Sequence, residues 1–245
     1  MTTLTLSLTP ERSLFRPDWA RIAGLAYLVL AACGIFAELG ARMVVTKQGD
    51  PAGTVAAVRD HLLMMRWAVV ADMGMILADI VLAVAFFALF WRARPVLTAI
   101  LLLLQIARIP MMGANLTNHV AAVVLASGQE LLPAFSPDQL DQLAYFFLRL
   151  HDYTYIFNGI TFGAWCIVLG WILLSTGYAP KLVGVLLVLD GPIAFFGTIG
   201  ALVYPAMMDQ PWAQIVARSA YGELVMIGFL LVAPGYVRRR VNADL

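Results

Sequence analysis

Apolar stretches long enough to cross a lipid bilayer make up most of this chain. About 20 apolar residues in a helix span the roughly 30 Å hydrocarbon core of a bilayer. The bilayer core contains no water to bond backbone N–H and C=O groups, and a helix satisfies these groups within its own backbone. The sequence therefore predicts an all-helical, polytopic membrane bundle of about six transmembrane helices. The predicted spans are Ile22–Val45, Trp67–Trp91, Val96–Ser127, Leu143–Leu174, Leu182–Val203 and Trp212–Val232.

Composition excludes a water-soluble globule. Hydrophobic residues account for 62% of the 245 residues and charged residues for 13%, which leaves too little polar surface to face water. No internal repeat or flexible linker separates the spans. We therefore predict one transmembrane domain over residues 21–235, with a cytoplasmic segment before it (1–20) and a basic cytoplasmic tail after it (236–245). Without a soluble basic surface, nucleic acid is not an expected partner.

Lysine and arginine predict the orientation, because basic loops stay on the cytoplasmic side during membrane insertion. Two loops, 128–141 and 204–211, contain neither residue. The basic residues on the opposite side therefore place both termini in the cytoplasm, and we expect a multi-pass protein of a cell membrane, most simply a bacterial inner membrane. These residues are Arg12, Arg16, Arg21, Arg92, Arg94, Lys181, Arg238, Arg239 and Arg240.

Capping residues predict one helix start and one helix end, and a further segment is predicted as a short helix. Ser136 is a good N-cap, Pro137 suits the first helical turn, and Gln139 completes a capping box, so a helix begins there. The same helix runs through the fourth span and ends near Gly177, where a C-terminal glycine is expected. A short surface helix is predicted over Asp50–Asp60.

Polar and ionisable side chains interrupt nearly every predicted span. A charge at bilayer depth costs roughly 2.5–3.5 kcal/mol, so these residues are expected to face a shared interior rather than lipid. Helical spacing supports this, because Arg108, Asn115 and His119 follow one face of span three, with Met112 between them.

Counting from the span ends at roughly 1.5 Å per residue gives the depth of each polar residue. The residues near the midplane are Asp79, Arg108, Asp190 and Glu223, and those in the outer half are Glu38, Asp72, Asn115, His119, His151 and Asp152. We therefore predict one buried polar and acidic pocket that opens towards the outer side.

Short strings within the spans also resemble a known family. They include Phe36-Ala37-Glu38, Leu150-His151-Asp152-Tyr153 and Gly222-Glu223-Leu224. Together with similar strings across almost the whole chain, they are similar to the bacterial multi-pass family catalogued as domain of unknown function 4386. The resemblance implies a helical membrane fold and no assigned activity. Neither His119 nor Asp190 lies in a string that carries this resemblance.

The first hypothesis for the pocket is an enzyme that acts on a lipid or isoprenoid-like molecule. A carboxylic acid kept protonated by desolvation would donate a proton, and a second group would accept one. Membrane lipids and a hydrophobic small molecule are then the expected partners. The catalytic candidates are Glu38 and Glu223 as acids, His151 with Asp152 beside it as base, and Asp72. The pocket candidates are Asp79, Arg108, Asn115, His119, Tyr155 and Asn158.

A metal-dependent version of this hypothesis would use His119 and His151 with Asp72 or Glu38. Two imidazoles and one carboxylate form a common zinc ligand set. No fixed motif such as His-Glu-x-x-His supports it, and an intramembrane histidine is more commonly hydrogen-bonded across helices. Zinc therefore stays an open alternative, and no residue is assigned as a metal ligand.

Two further hypotheses use the same residues differently. A proton- or ion-coupled transporter also needs intramembrane acids, and Arg108 would be the counter-ion of Asp79 or Asp72. Alternatively, the polar residues only hold the helices together, and the protein senses or assists a partner. The sequence does not decide between these hypotheses.

Overall fold

The computed structural model describes residues 18–47, 49–128, 132–204, 206 and 221–243, and within these ranges it is helical without any strand. Helix α1 includes a π-helical segment, Phe36–Arg42. The helices are α1 (Trp19–Val45), α2 (Pro51–Asp60), α3 (Leu62–Phe90), α4 (Pro95–Ala126), α5 (Pro137–Phe157), α6 (Gly159–Thr176), α7 (Lys181–Val203), α8 (Tyr221–Val232) and α9 (Pro234–Ala243).

Five helical stretches of the described chain are long and apolar enough to cross a membrane. They are α1, α3, α4, the continuous stretch of α5 and α6, and α7, and α8 is a shorter apolar helix. The predicted all-helical, multi-pass membrane bundle is therefore confirmed. Of the predicted sixth span, residues 212–220 lie outside the described residues, and α8 begins at Tyr221.

The predicted helix ends are present. The Ser136 hydroxyl accepts a hydrogen bond from the Gln139 backbone N–H at 3.3 Å, and the Gln139 side chain accepts one from the Ser136 backbone N–H at 2.8 Å. Helix α6 ends at Gly177, whose φ of 66° is readily adopted by glycine. The surface helix α2 is capped by Asp50. The turn at Asn158, which separates α5 from α6, is an additional feature.

Helices α6 and α7 approach closely at two pairs of glycines. A Cβ atom added to Gly163 would lie 2.5 Å from the Gly191 carbonyl oxygen, and one added to Gly170 would lie 2.6 Å from the Gly184 carbonyl oxygen. Small residues at such crossings bring the backbones of membrane helices into van der Waals contact. The two pairs therefore fix how α6 and α7 pack, and both helices line the cavity described below.

Two apolar clusters lie on either side of the buried polar residues. Along α3, Met65 and Ala68 belong to the first cluster, and Leu82 and Phe86 belong to the second. Asp72 and Asp79 come between them in the helix. The polar residues of the bundle are thus enclosed by packed apolar side chains at both ends of this helix.

Candidate functional site

A cavity of about 310 Å³ lies inside the bundle. Its volume is in the range of small-molecule binding pockets. Its apolar wall includes Leu30, Met75, Ile109, Phe162 and Ile193. Its polar lining consists of Asp79, Arg108, Tyr155, Asn158, Asp190, Thr198 and Glu223.

A buried ion pair forms one polar wall of the cavity. Arg108 Nη2 donates to Asp79 Oδ1 at 2.6 Å, and Gln105 Nε2 donates to the same oxygen at 2.9 Å. The Trp165 indole N–H donates to Gln105 Oε1 at 3.1 Å, and the Arg108 guanidinium carbon lies 5.7 Å from the centre of the Trp165 ring. Among the described residues, the buried Arg108 Nε has no hydrogen-bond partner. The Arg108 guanidinium therefore has N–H donors that Asp79 does not use.

Two carboxyl groups come to the cavity from α7 and α8. The Tyr27 hydroxyl donates to the Glu223 carboxylate. Asp190 Oδ2 accepts a hydrogen bond from the Gly222 backbone N–H at 2.7 Å. Gly222 allows this approach, because a Cβ atom there would lie 2.6 Å from Asp190 Oδ2. Asp190 is thus held by the residue that precedes Glu223 on α8, and Glu223 itself is held by Tyr27 of α1.

A second polar centre surrounds Arg42, which we name the Arg42 centre. Arg42 Nη1 donates to Asp72 Oδ2 at 2.7 Å, and Arg42 Nε donates to Glu38 Oε2 at 2.8 Å. Arg42 and Asp72 are both buried, whereas the Glu38 side chain is 43% exposed. Glu38 and Arg42 both belong to the π-helical segment of α1. Such segments are rare and frequently lie at functional sites.

Two histidines complete the Arg42 centre. His119 Nδ1 lies 3.3 Å from both Asp72 Oδ2 and Arg42 Nη1. The His119 and His151 rings are tilted with their centres 5.4 Å apart. His151 Nδ1 lies 3.3 Å from the Asn115 carbonyl oxygen, and Asn115 Nδ2 donates to the His151 carbonyl oxygen at 3.1 Å. Both rings are buried, and within the described chain neither Nε2 atom has a hydrogen-bond partner.

Asp152 takes a different position from the one expected beside His151. Its Oδ2 accepts a hydrogen bond from Arg149 Nη1 at 3.0 Å, and both side chains are partly exposed. His151 instead meets the Asn115 backbone. Residues next to each other in a helix point about 100° apart, which explains why Asp152 turns away from the ring of His151.

Apart from Asp152, the predicted site residues thus lie in two centres rather than in one common pocket. Asp72 and Asp79 are two turns apart on α3, about 10 Å along the helix, and each has its own arginine, Arg42 and Arg108. The predicted residues that line the cavity are Asp79, Arg108, Tyr155, Asn158 and Glu223, and those in the Arg42 centre are Glu38, Asp72, Asn115, His119 and His151.

Arg42 and Gln105 were not among the predicted site residues, although both make central contacts. Arg42 follows Glu38 by four residues, a spacing at which opposite charges pair in a helix. Gln105 lies three residues before Arg108, where both side chains reach the same neighbouring helix. The spacing of each pair in the sequence could therefore have identified Arg42 and Gln105 as site residues.

Comparison with known proteins gives a family and no activity. No match to the chain is found among curated proteins or among solved structures. A family model described as "Domain of unknown function (DUF4386)" matches residues 22–233, which include all the helices that line the cavity and the Arg42 centre. The chain therefore belongs to the DUF4386 family of proteins.

Proposed function

We propose that this protein is an intramembrane enzyme that performs acid/base chemistry on a hydrophobic molecule with a polar end, a lipid or isoprenoid-like substrate. The observation that supports this proposal is the cavity, in which an apolar wall faces two carboxyl groups and an ion pair. We further propose that it works in a bacterial inner membrane with both termini in the cytoplasm, as the distribution of basic residues predicts.

The shape of the polar lining suits such a substrate. Leu30, Phe162 and Ile193 would contact a hydrocarbon part, because small-molecule pockets bury the apolar part of a ligand against apolar side chains. A guanidinium N–H of Arg108 that Asp79 does not use would donate to an oxygen at the polar end of the molecule. Asp79 stays paired with Arg108 and Gln105, so its role is to hold the guanidinium in place.

Glu223 and Asp190 are the two groups that would move protons. General acid/base catalysis needs a positioned donor and a positioned acceptor within reach of the substrate. Glu223 is held by Tyr27, and Asp190 is held by the Gly222 backbone, so neither carboxyl group is free to rotate away. Glu38 and His151, the other acid and base candidates from the sequence, lie in the Arg42 centre and do not line the cavity.

Turnover of a panel of lipid and polyprenyl substrates tests the proposal. Glu223→Gln removes the proton and keeps the shape of the side chain, so it is expected to lower kcat/KM by roughly 100-fold or more. Glu38→Gln is the matched control, because Glu38 does not line the cavity. It is expected to keep kcat/KM within a few-fold of the wild type, and product formation followed by mass spectrometry measures both.

Two results would contradict the proposal. One is a wild-type protein that converts none of the substrates. The other is a Glu223→Gln variant that is as active as Glu38→Gln. In either case the carboxyl groups of the cavity would have a role other than acid/base chemistry.

A further inference from the structure

The Arg42 centre contains three potential metal ligands on three different helices. Asp72 is on α3, His119 on α4 and His151 on α5, and all three are buried. One ligand atom from each lies within 4.8 Å of the other two. We propose that these residues bind a divalent transition-metal ion of the zinc class.

The unpaired imidazole nitrogens point to a ligand. His119 Nε2 and His151 Nε2 are both buried and have no hydrogen-bond partner in the described chain. A buried polar atom without a partner costs about 1–3 kcal/mol, so two of them on neighbouring rings are unusual without a compensating ligand. A metal ion would satisfy both nitrogens at once.

The contacts of the two Nδ1 atoms orient His119 and His151 for metal binding. His151 Nδ1 faces the Asn115 carbonyl oxygen at 3.3 Å, and His119 Nδ1 faces Asp72 Oδ2 at 3.3 Å. Metal-binding histidines usually donate their second ring N–H to a carbonyl or carboxylate oxygen, which leaves a lone pair on the other nitrogen for the metal. With both Nδ1 atoms hydrogen-bonded in this way, the lone pair of each Nε2 atom would be available to the ion.

The donor set selects the metal class. Two imidazoles and one carboxylate suit zinc and similar transition ions better than magnesium or calcium, which prefer oxygen ligands. Three protein ligands also leave one coordination position open. Zinc ligands lie about 2.0–2.2 Å from the ion, so the three side chains would close around it by roughly 1 Å.

Arg42 is the internal competitor of the ion. Its guanidinium lies 2.7 Å from Asp72 Oδ2, so a metal ion and Arg42 compete for the same negative charge. Glu38, bound to Arg42 Nε at 2.8 Å, is the alternative partner of the guanidinium. Metal binding is therefore expected to shift Arg42 from Asp72 towards Glu38.

Zinc titration of the full chain in detergent tests the inference, using protein purified without a polyhistidine tag and freed of metals. The wild type is expected to bind one Zn²⁺ per chain by calorimetry. Asp72→Asn, His119→Gln and His151→Gln are each expected to weaken binding on the order of 100-fold or more. His61→Gln is the matched control, because His61 is exposed and outside the centre. Arg42→Gln is expected to tighten binding by about tenfold or more, because a competing charge is removed.

X-ray absorption at the zinc edge identifies the metal ligands in the wild type, so this measurement does not depend on the folding of any variant. The wild type should show nitrogen and oxygen ligands at about 2.0–2.2 Å with two imidazoles. No zinc binding by the wild type, sulfur ligation, or binding that His119→Gln and His151→Gln leave unchanged would overturn the inference. These results are independent of the Glu223 test, because neither histidine lines the cavity.

Discussion

Replacing Arg42 with methionine is expected to lower the free energy of unfolding by about 3–5 kcal/mol, the typical effect of leaving a buried charge unpaired. The Arg42 and Asp72 side chains are only 3% and 4% exposed, and their ion pair measures 2.7 Å. Without Arg42, the Asp72 carboxylate would remain buried with the His119 ring as its nearest polar neighbour. The midpoint of unfolding in detergent, followed by circular dichroism, measures the loss.

A double variant separates the lost ion pair from the lost packing. Arg42→Met combined with Asp72→Leu removes both charges, so it is expected to recover most of the stability. Arg149→Met is the control, because the Arg149–Asp152 pair is 40% and 31% exposed and such pairs contribute no more than about 1 kcal/mol. An Arg42→Met variant no less stable than Arg149→Met, or a double variant that recovers nothing, would show that the buried ion pair does not stabilise the bundle.

Replacing Gly170 with valine is expected to cost at least the upper end of the roughly 1–3 kcal/mol typical of overpacking. The new Cβ atom would lie 2.6 Å from the Gly184 carbonyl oxygen and 3.0 Å from the Val188 backbone nitrogen. Backbone atoms cannot rotate away as a flexible side chain does, so α6 and α7 would have to separate. Thermal unfolding in detergent measures the effect.

Gly228→Val is the matched control for this substitution. It changes the same residue type within a membrane helix, but a Cβ atom at Gly228 would meet no atom within 4 Å. Both variants lose the flexibility of glycine, so the difference between them reports the contact between α6 and α7 alone. Equal stability of the two variants would show that the glycine pairs do not determine this packing.

Helical periodicity was sufficient to predict which side of α4 faces the interior. Asn115 and His119 are 1% and 0% exposed, and the Arg108 side chain is 12% exposed. Charged and polar side chains on one face of a membrane helix point to the protein interior, because exposing them to lipid carries a large free-energy penalty. The same reasoning explains why Asp72 and Asp79, which are seven residues apart on α3, are both buried.

Pairing between helices was not predictable from periodicity. Arg108 had two candidate partners, Asp72 and Asp79, and the choice depends on how far α3 and α4 slide along each other. The structure pairs Arg108 with Asp79 and leaves Asp72 to Arg42. Because Arg42 is the last residue of the π-helical segment, its direction also differs from the one that 3.6 residues per turn would give. The polar residues that were expected to share one pocket therefore lie in two separate centres.

The most direct test of the account is whether the cavity holds a hydrophobic molecule. Gly197 lines the cavity, and a Cβ atom there would meet no atom within 4 Å, so Gly197→Leu places a larger side chain at the cavity wall without a backbone clash at its Cβ. Gly228→Leu adds the same side chain at an exposed position away from the cavity.

Native mass spectrometry of the purified proteins measures the molecules that remain bound to each. The proposed substrate cavity predicts a bound hydrophobic molecule on the wild type and on Gly228→Leu, and a loss of about tenfold or more on Gly197→Leu, because the added side chain occupies its place. A wild type without any bound molecule, or a Gly197→Leu variant that retains as much as Gly228→Leu, would contradict it.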